Sequence, residues 1–232
     1  MMLQRLRETL FFFWHHLTDL LWRLAPVLPL LAMTNYLLFV VHDGDTKAAM
    51  ADPLTLAPQL LAGVMAAALT IRYSLAVVRK ETPGFGALWR GALADTLPLA
   101  LVQIMAGVLI VAGLFLLILP GLFLMGALLP AYVILIQERT GPLGALKASW
   151  QRFRSQAWAV SASLFAVFLL LMVVMSGLDA LGQLLDAAPL PLRLAALSGL
   201  DLVGLLFSQM VVILLVRFYE LEQLPPAKAG WN

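Results

Sequence analysis

The chain contains no cysteine, which excludes thiol catalysis, disulfide bonds and thiolate metal sites. Charge is scarce too. Only 12% of the 232 residues are Asp, Glu, Lys or Arg, against about a quarter in soluble domains, so there is no room for a separate soluble unit. Motifs of familiar chemistry are also missing: no glycine loop ending in Lys-Ser or Lys-Thr, no His-Glu-x-x-His and no Gly-x-Ser-x-Gly elbow. His15 and His16 are neighbours and point about 100° apart on a helix, which does not make a shared metal site. His42, beside Asp43 and Asp45, reads as part of a solvated loop. A membrane-embedded enzyme would cluster His or Asp near one face, and the sequence offers no such cluster. The expectation is a protein without catalytic, metal or cofactor residues.

What the chain has is apolar length. Hydrophobic residues make up 62% of it, and a hydrocarbon core about 30 Å thick takes roughly 20 apolar residues per helix. Six spans can be read: Leu24 to Val41, Leu56 to Val78, Thr96 to Leu119, Gly121 to Ile136, Ala157 to Leu181 and Leu192 to Arg217. The fold class is therefore all-α, a polytopic membrane protein with about six transmembrane helices plus cytoplasmic interfacial amphipathic helices. Residues 1–232 form one integral membrane domain, with an interfacial segment over 1–22, spans over 24–217 and a cytoplasmic tail over 218–232. Arg5 and Arg7 resemble the start of a signal peptide, but Trp14, His15, His16 and Asp19 interrupt its apolar run and no small-x-small site follows. The segment is expected to stay on the chain.

Basic residues resist translocation, so their distribution orients the spans. Arg5, Arg7, Arg23, Arg72, Arg79, Lys80, Arg90, Arg139, Lys147, Arg152, Arg154, Arg217 and Lys228 fall on one side, and only Lys47 and Arg193 on the other. This places both termini in the cytoplasm, with three external connections. Leu119-Pro120-Gly121 suits a tight external turn between the third and fourth spans.

The connections on the basic side repeat. Thr82-Pro83-Gly84-Phe85-Gly86-Ala87-Leu88 follows the second span, and Thr140-Gly141-Pro142-Leu143-Gly144-Ala145-Leu146 follows the fourth, 58 residues later. The pattern is one of parallel hairpins, each leading into a helix on the membrane surface. In the second copy Leu143, Leu146, Trp150, Phe153 and Ala157 form one apolar stripe at helical spacing. Lys147, Arg152 and Arg154 lie beside it, placed either as ordinary positive-inside charge or as contacts for anionic lipid headgroups. Leu3, Leu6, Leu10, Phe13 and Leu17 make a similar stripe at the N-terminus.

Ionisable groups inside a span are costly and point to function. Arg72 and Asp201 are the candidates, with the amides Gln103 and Gln209 behind them. Counting in from Arg79 and Arg217, the helical rise puts Arg72 about 10 Å deep and Asp201 about 24 Å deep, so the two do not pair directly. Arg72 has a structural reading, snorkelling to the interface. Asp201 is either a neutral, hydrogen-bonded packing residue or a proton or cation site, and with Gln209 it would line any cavity between the spans. Small residues four apart, Gly63 with Ala67, Ala127 with Ala131 and Gly204 with Ser208, allow close helix contact.

Leu119-Pro120-Gly121, then Pro130, Gln137-Glu138, Gly144-Ala145-Leu146 and Ser149 resemble the core motif of the YciC-like family of uncharacterised bacterial inner-membrane proteins. Leu215-Val216-Arg217-Phe218-Tyr219 is similar to that family's final span. The resemblance implies six spans and a loose link to envelope or lipid homeostasis, and brings no catalytic residues; the motif positions it marks are Pro120, Gly121, Pro130, Glu138 and Ser149. The first external loop is short here, which puts in doubt any role tied to a longer one. The functional expectation is a non-enzymatic protein that organises lipids or partner proteins, with a small-molecule or lipid transporter or permease subunit as the alternative. Expected partners are membrane lipids and a membrane-protein partner or homo-oligomer, without nucleic acid.

Overall fold

The computed structural model describes residues 2–42, 52–183 and 189–223, with residues 2–5, 221 and 223 as backbone only. Asp43, Asp45, Lys47 and Lys228 lie outside these residues, as does the tail beyond 223. All regular structure among the described residues is helical. Six helices are long and apolar enough to cross a bilayer: Leu17–Val41, Pro53–Val78, Phe85–Leu116, Ile118–Glu138, Ala157–Gln183 and Leu190–Glu220. The protein is an all-α polytopic membrane protein. An N-terminal helix, Met2–His15, and a short helix between the fourth and fifth spans, Pro142–Phe153, complete it.

The second and sixth spans are the most buried and pack on each other at the centre; the first, third, fourth and fifth surround them. The first and third are the least buried, and on the third Leu97, Ile104, Val108, Phe115 and Leu116 are all exposed. The spans that surround the centre show one apolar face to the bilayer and bury the other.

Proline sets several local breaks, because its ring removes a helical donor and crowds the preceding turn. Pro26 lies in a tight 3-10 turn, Ala25–Val27, inside the first span, and Pro130 divides the fourth span into Ile118–Leu128 and Ala131–Glu138. The turn between the third and fourth spans falls on Leu117, the only extended residue there (φ −165°, ψ 146°). Pro120-Gly121 is therefore inside the first turn of the fourth span, a correction to the turn expected at that pair. At that position proline removes a donor that would otherwise lack a partner. A Cβ on Gly121 would lie 2.6 Å from the Leu114 backbone nitrogen. Glycine is required here by close approach of two backbones.

The repeated segments do start helices at matching places, with Gly84 and Gly141 as extended N-caps. Each follows a span that ends on a left-handed basic residue, Lys80 (φ 59°) or Arg139 (φ 51°). The copies then differ. The second gives a separate short helix, whereas the first runs on unbroken into the third span from Phe85. The third span consequently begins eleven residues before the expected Thr96.

Of the small-residue pairs, Ala127 and Ala131 are fully buried and Gly204 is close to Met175. Gly63 has nothing near it and mediates no contact. The tightest approach belongs instead to Gly126, where an added Cβ would press into the Ala157 carbonyl, 2.8 Å from its carbon.

Candidate functional site

The short helix is anchored on its inner side. Ser149 is fully buried and its hydroxyl donates to the Ala127 carbonyl at 2.7 Å, beside the break that Pro130 makes in the fourth span. Arg152 donates twice to Glu138, at 2.5 and 3.1 Å, and the Tyr219 hydroxyl donates to the same carboxylate at 2.9 Å. One carboxylate thus joins the fourth span, the short helix and the sixth span. Glu222 stands nearby, its carboxyl pushed up by burial and held down in part by Arg152.

This arrangement corrects the expectation for Arg152 and places Ser149. Arg152 is committed to Glu138 and is not a free headgroup contact, and Ser149 faces the protein interior. The expected stripe divides as well: Leu146, Phe153 and Ala157 are buried with Ala145, while Leu143 and Trp150 face outward. Trp150 rests edge-on against Phe123, with 5.8 Å between ring centroids. Lys147 and Arg154 are exposed on the outer side.

The N-terminal helix is docked in a similar way. Phe12 and Phe13 are buried, the Phe13 ring is tilted against Phe207 with 5.2 Å between centroids, and Glu8 accepts from Arg217 of the sixth span at 2.8 Å. Its stripe therefore packs on protein, with Leu6, Leu10 and Leu17 against the core and the side chain of Leu3 outside the described set. Where this helix meets the first span, the Tyr73 hydroxyl lies 2.9 Å from His16 Nδ1 and 3.2 Å from Asp19. Burial, followed by the charge of His15, holds the His16 imidazole below its ordinary pKa.

Arg72 is paired within the protein. Its Nε donates to Asp95 of the third span at 2.6 Å, and its guanidinium occupies the space where Gly91 lacks a Cβ. Around this pair a cleft of about 630 Å³ opens between the second, third and fourth spans, lined also by Arg90, Arg139 and Thr140. A smaller cavity of about 270 Å³ shares Arg72 and Arg139 with it and adds Arg79 and Glu81.

Asp201 accepts from Asn35 Nδ2 at 2.7 Å, and the same amide reaches Ser198 at 3.3 Å. It opens into a cavity of about 600 Å³ with Asp179, Arg193, Gln59, Gln183 and Ser208 on its walls. Arg72 and Asp201 are thus in separate places with separate partners. Gln209 is not part of that cavity; it is 2% exposed and donates to the Leu205 carbonyl and to Ser208. At the cavity's end of the bundle His42 is not simply solvated: it lies 3.0 Å from Asp52, whose carboxylate also caps the second span at the Leu54 amide. That amide and His42 together hold Asp52 below the usual carboxylate range.

Among the described residues no three His, Cys, Asp or Glu side chains are grouped to hold a metal. Sequence reasoning missed Asp95, Asn35 and Glu8, and marked Tyr219 only as part of the final-span run, without its bond to Glu138. Asp95 lies 23 positions from Arg72 on an adjoining span, a pairing that antiparallel neighbours make accessible; the other partners are too distant in sequence to leave a signal. Fold and sites together define a six-span all-α membrane protein with an anchored basic helix, a basic cleft and a mixed-charge cavity. Comparison with protein-family models, curated proteins and solved structures finds no match.

Proposed function

We propose that the chain is a non-enzymatic protein of the bacterial inner membrane, of the YciC-like kind, with both termini cytoplasmic, that gathers anionic lipid around its cytoplasmic end. The observation that carries this reading is the anchored short helix. Ser149 and Arg152 fix its inner side to the fourth span, so that Lys147, Arg154, Leu143 and Trp150 are presented outward together. Cations beside exposed apolar groups suit an anionic bilayer surface, where each adds about 1 kcal/mol of attraction. Spin-labelled lipids in reconstituted vesicles test it. Labelled phosphatidylglycerol should be immobilised on the protein in preference to labelled phosphatidylcholine, and Lys147→Glu with Arg154→Glu should remove the preference. Equal immobilisation of the two lipids on the unaltered protein rejects the proposal.

The Asp201 cavity favours a second reading, a small-molecule or lipid transporter or permease subunit. It has room for a ligand and carries both signs of charge, with the Arg193 guanidinium 4.2 Å over the Phe39 ring. Ion-coupled flux in reconstituted vesicles, followed with a lumenal pH dye, should then vanish in Asp201→Asn. Unchanged flux in that variant rejects this reading.

A further inference from the structure

The cleft around Arg72 has more positive charge than its surroundings neutralise. Three guanidinium groups, from Arg72, Arg90 and Arg139, face one carboxylate, Asp95. Asp95 is taken up by Arg72. Among the described residues Arg90 and Arg139 form no ion pair, and the Thr140 hydroxyl is buried without a hydrogen-bond partner. Arg90, whose Nε also donates to the Gly86 carbonyl at 3.4 Å, and Arg139 are exposed at the cleft, so their remaining N–H donors are open to an anion with several acceptor oxygens. Phosphate fits best, because the planar guanidinium matches its oxygens two at a time.

The third span indicates where the rest of the ligand lies. Arg90 and Ala94 of the cleft continue at helical spacing into Leu97, Leu101, Ile104 and Val108, all exposed. This is one unbroken apolar stripe leading from the cleft along the bilayer-facing side. A soluble anion has no use for such a stripe, whereas an acyl chain does.

We infer that this cleft, with its excess of positive charge, holds the phosphate of a single anionic membrane phospholipid. Arg90 and Arg139 close on its oxygens, Thr140 donates to it, Arg72 is positioned by Asp95 over Gly91, and one acyl chain lies along Leu97 to Val108. This is a discrete retained lipid, separate from the mobile lipid drawn to Lys147 and Arg154.

Native mass spectrometry of the full chain in detergent tests it, with phosphatidylglycerol, phosphatidylcholine and inorganic phosphate as probes. One phosphatidylglycerol should bind at least tenfold more tightly than phosphatidylcholine, and Arg90→Gln and Arg139→Gln should each weaken it roughly tenfold, the scale of one lost charge-assisted hydrogen bond. Excess inorganic phosphate should leave it in place. Equal binding of the two lipids, or full retention in the double variant, overturns the inference; displacement by inorganic phosphate overturns the lipid in favour of a free anion. Both arginines are exposed, so the folded state is expected to survive. Should either variant melt early, Leu97→Gln offers an independent check, since a polar group at that exposed position should weaken the lipid and an unchanged affinity counts against it. Lys147→Glu with Arg154→Glu should leave this one lipid bound, so the two proposals fail separately.

Discussion

The Tyr219 hydroxyl lies 2.9 Å from the Glu138 carboxylate, 81 residues away in the chain. Arg152 closes on the same carboxylate from the short helix, so the ends of the fourth and sixth spans and the basic helix form one unit. Tyr219→Phe removes a single hydrogen bond and should cost about 1 kcal/mol. Glu138→Ala leaves both donors without their acceptor and should cost more. Thermal unfolding in detergent checks the order, and a Glu138→Ala protein as stable as the original would contradict it.

Glycine substitutions separate close contact from mere composition. Gly126→Ala forces a methyl group against the Ala157 backbone and should destabilise by about 1 to 3 kcal/mol, as overpacking does. Gly63 has nothing within 4 Å, so Gly63→Ala should be neutral or stabilise by up to about 1 kcal/mol through helix propensity. Both are read from melting temperatures; reversal of their order would refute the packing described.

Lys80 ends the second span in a left-handed conformation, with its amide on the Val77 carbonyl and the Glu81 amide on that of Ala76. This is the pattern in which glycine is the favoured residue. Lys80→Gly should raise stability by about 1 kcal/mol. A lowered melting temperature would show that the lysine side chain contributes more than its backbone costs.

His16 makes stability depend on pH. Its pKa in the folded protein is below the unfolded value, so the unfolded chain takes up the proton first as pH falls. The contribution is fully present above about pH 6.5 and is lost as pH drops from there through the folded value. Melting temperature should therefore decline between about pH 7 and pH 5, and His16→Gln should flatten that decline. An identical slope in the variant would assign the effect to another group.

The spans were legible because a bilayer asks for one simple property, apolar length, and each expected span overlaps an observed one. Their ends were less so. Phe85 to Asp95 has polar and charged residues and reads as surface, yet the helix continues through it because Asp95 is answered by Arg72 and Arg90 lines a cleft. The motif positions could be picked out, but their roles could not. Pro130, Glu138 and Ser149 matter through Ala127, Arg152 and Tyr219, contacts fixed only once the short helix folds back on the fourth span. Asp201 was recognisable as costly, while the Asn35 amide that supports it comes from a span 166 positions away.

Trp150 sits one helical turn from both Lys147 and Arg154, which makes it a reporter for the lipid beside them. In a variant retaining only this tryptophan, reconstituted in mixed bilayers, brominated phosphatidylglycerol should quench its fluorescence more strongly than brominated phosphatidylcholine. Lys147→Glu with Arg154→Glu should equalise the two. Equal quenching before any charge is changed would contradict the claim that this helix gathers anionic lipid.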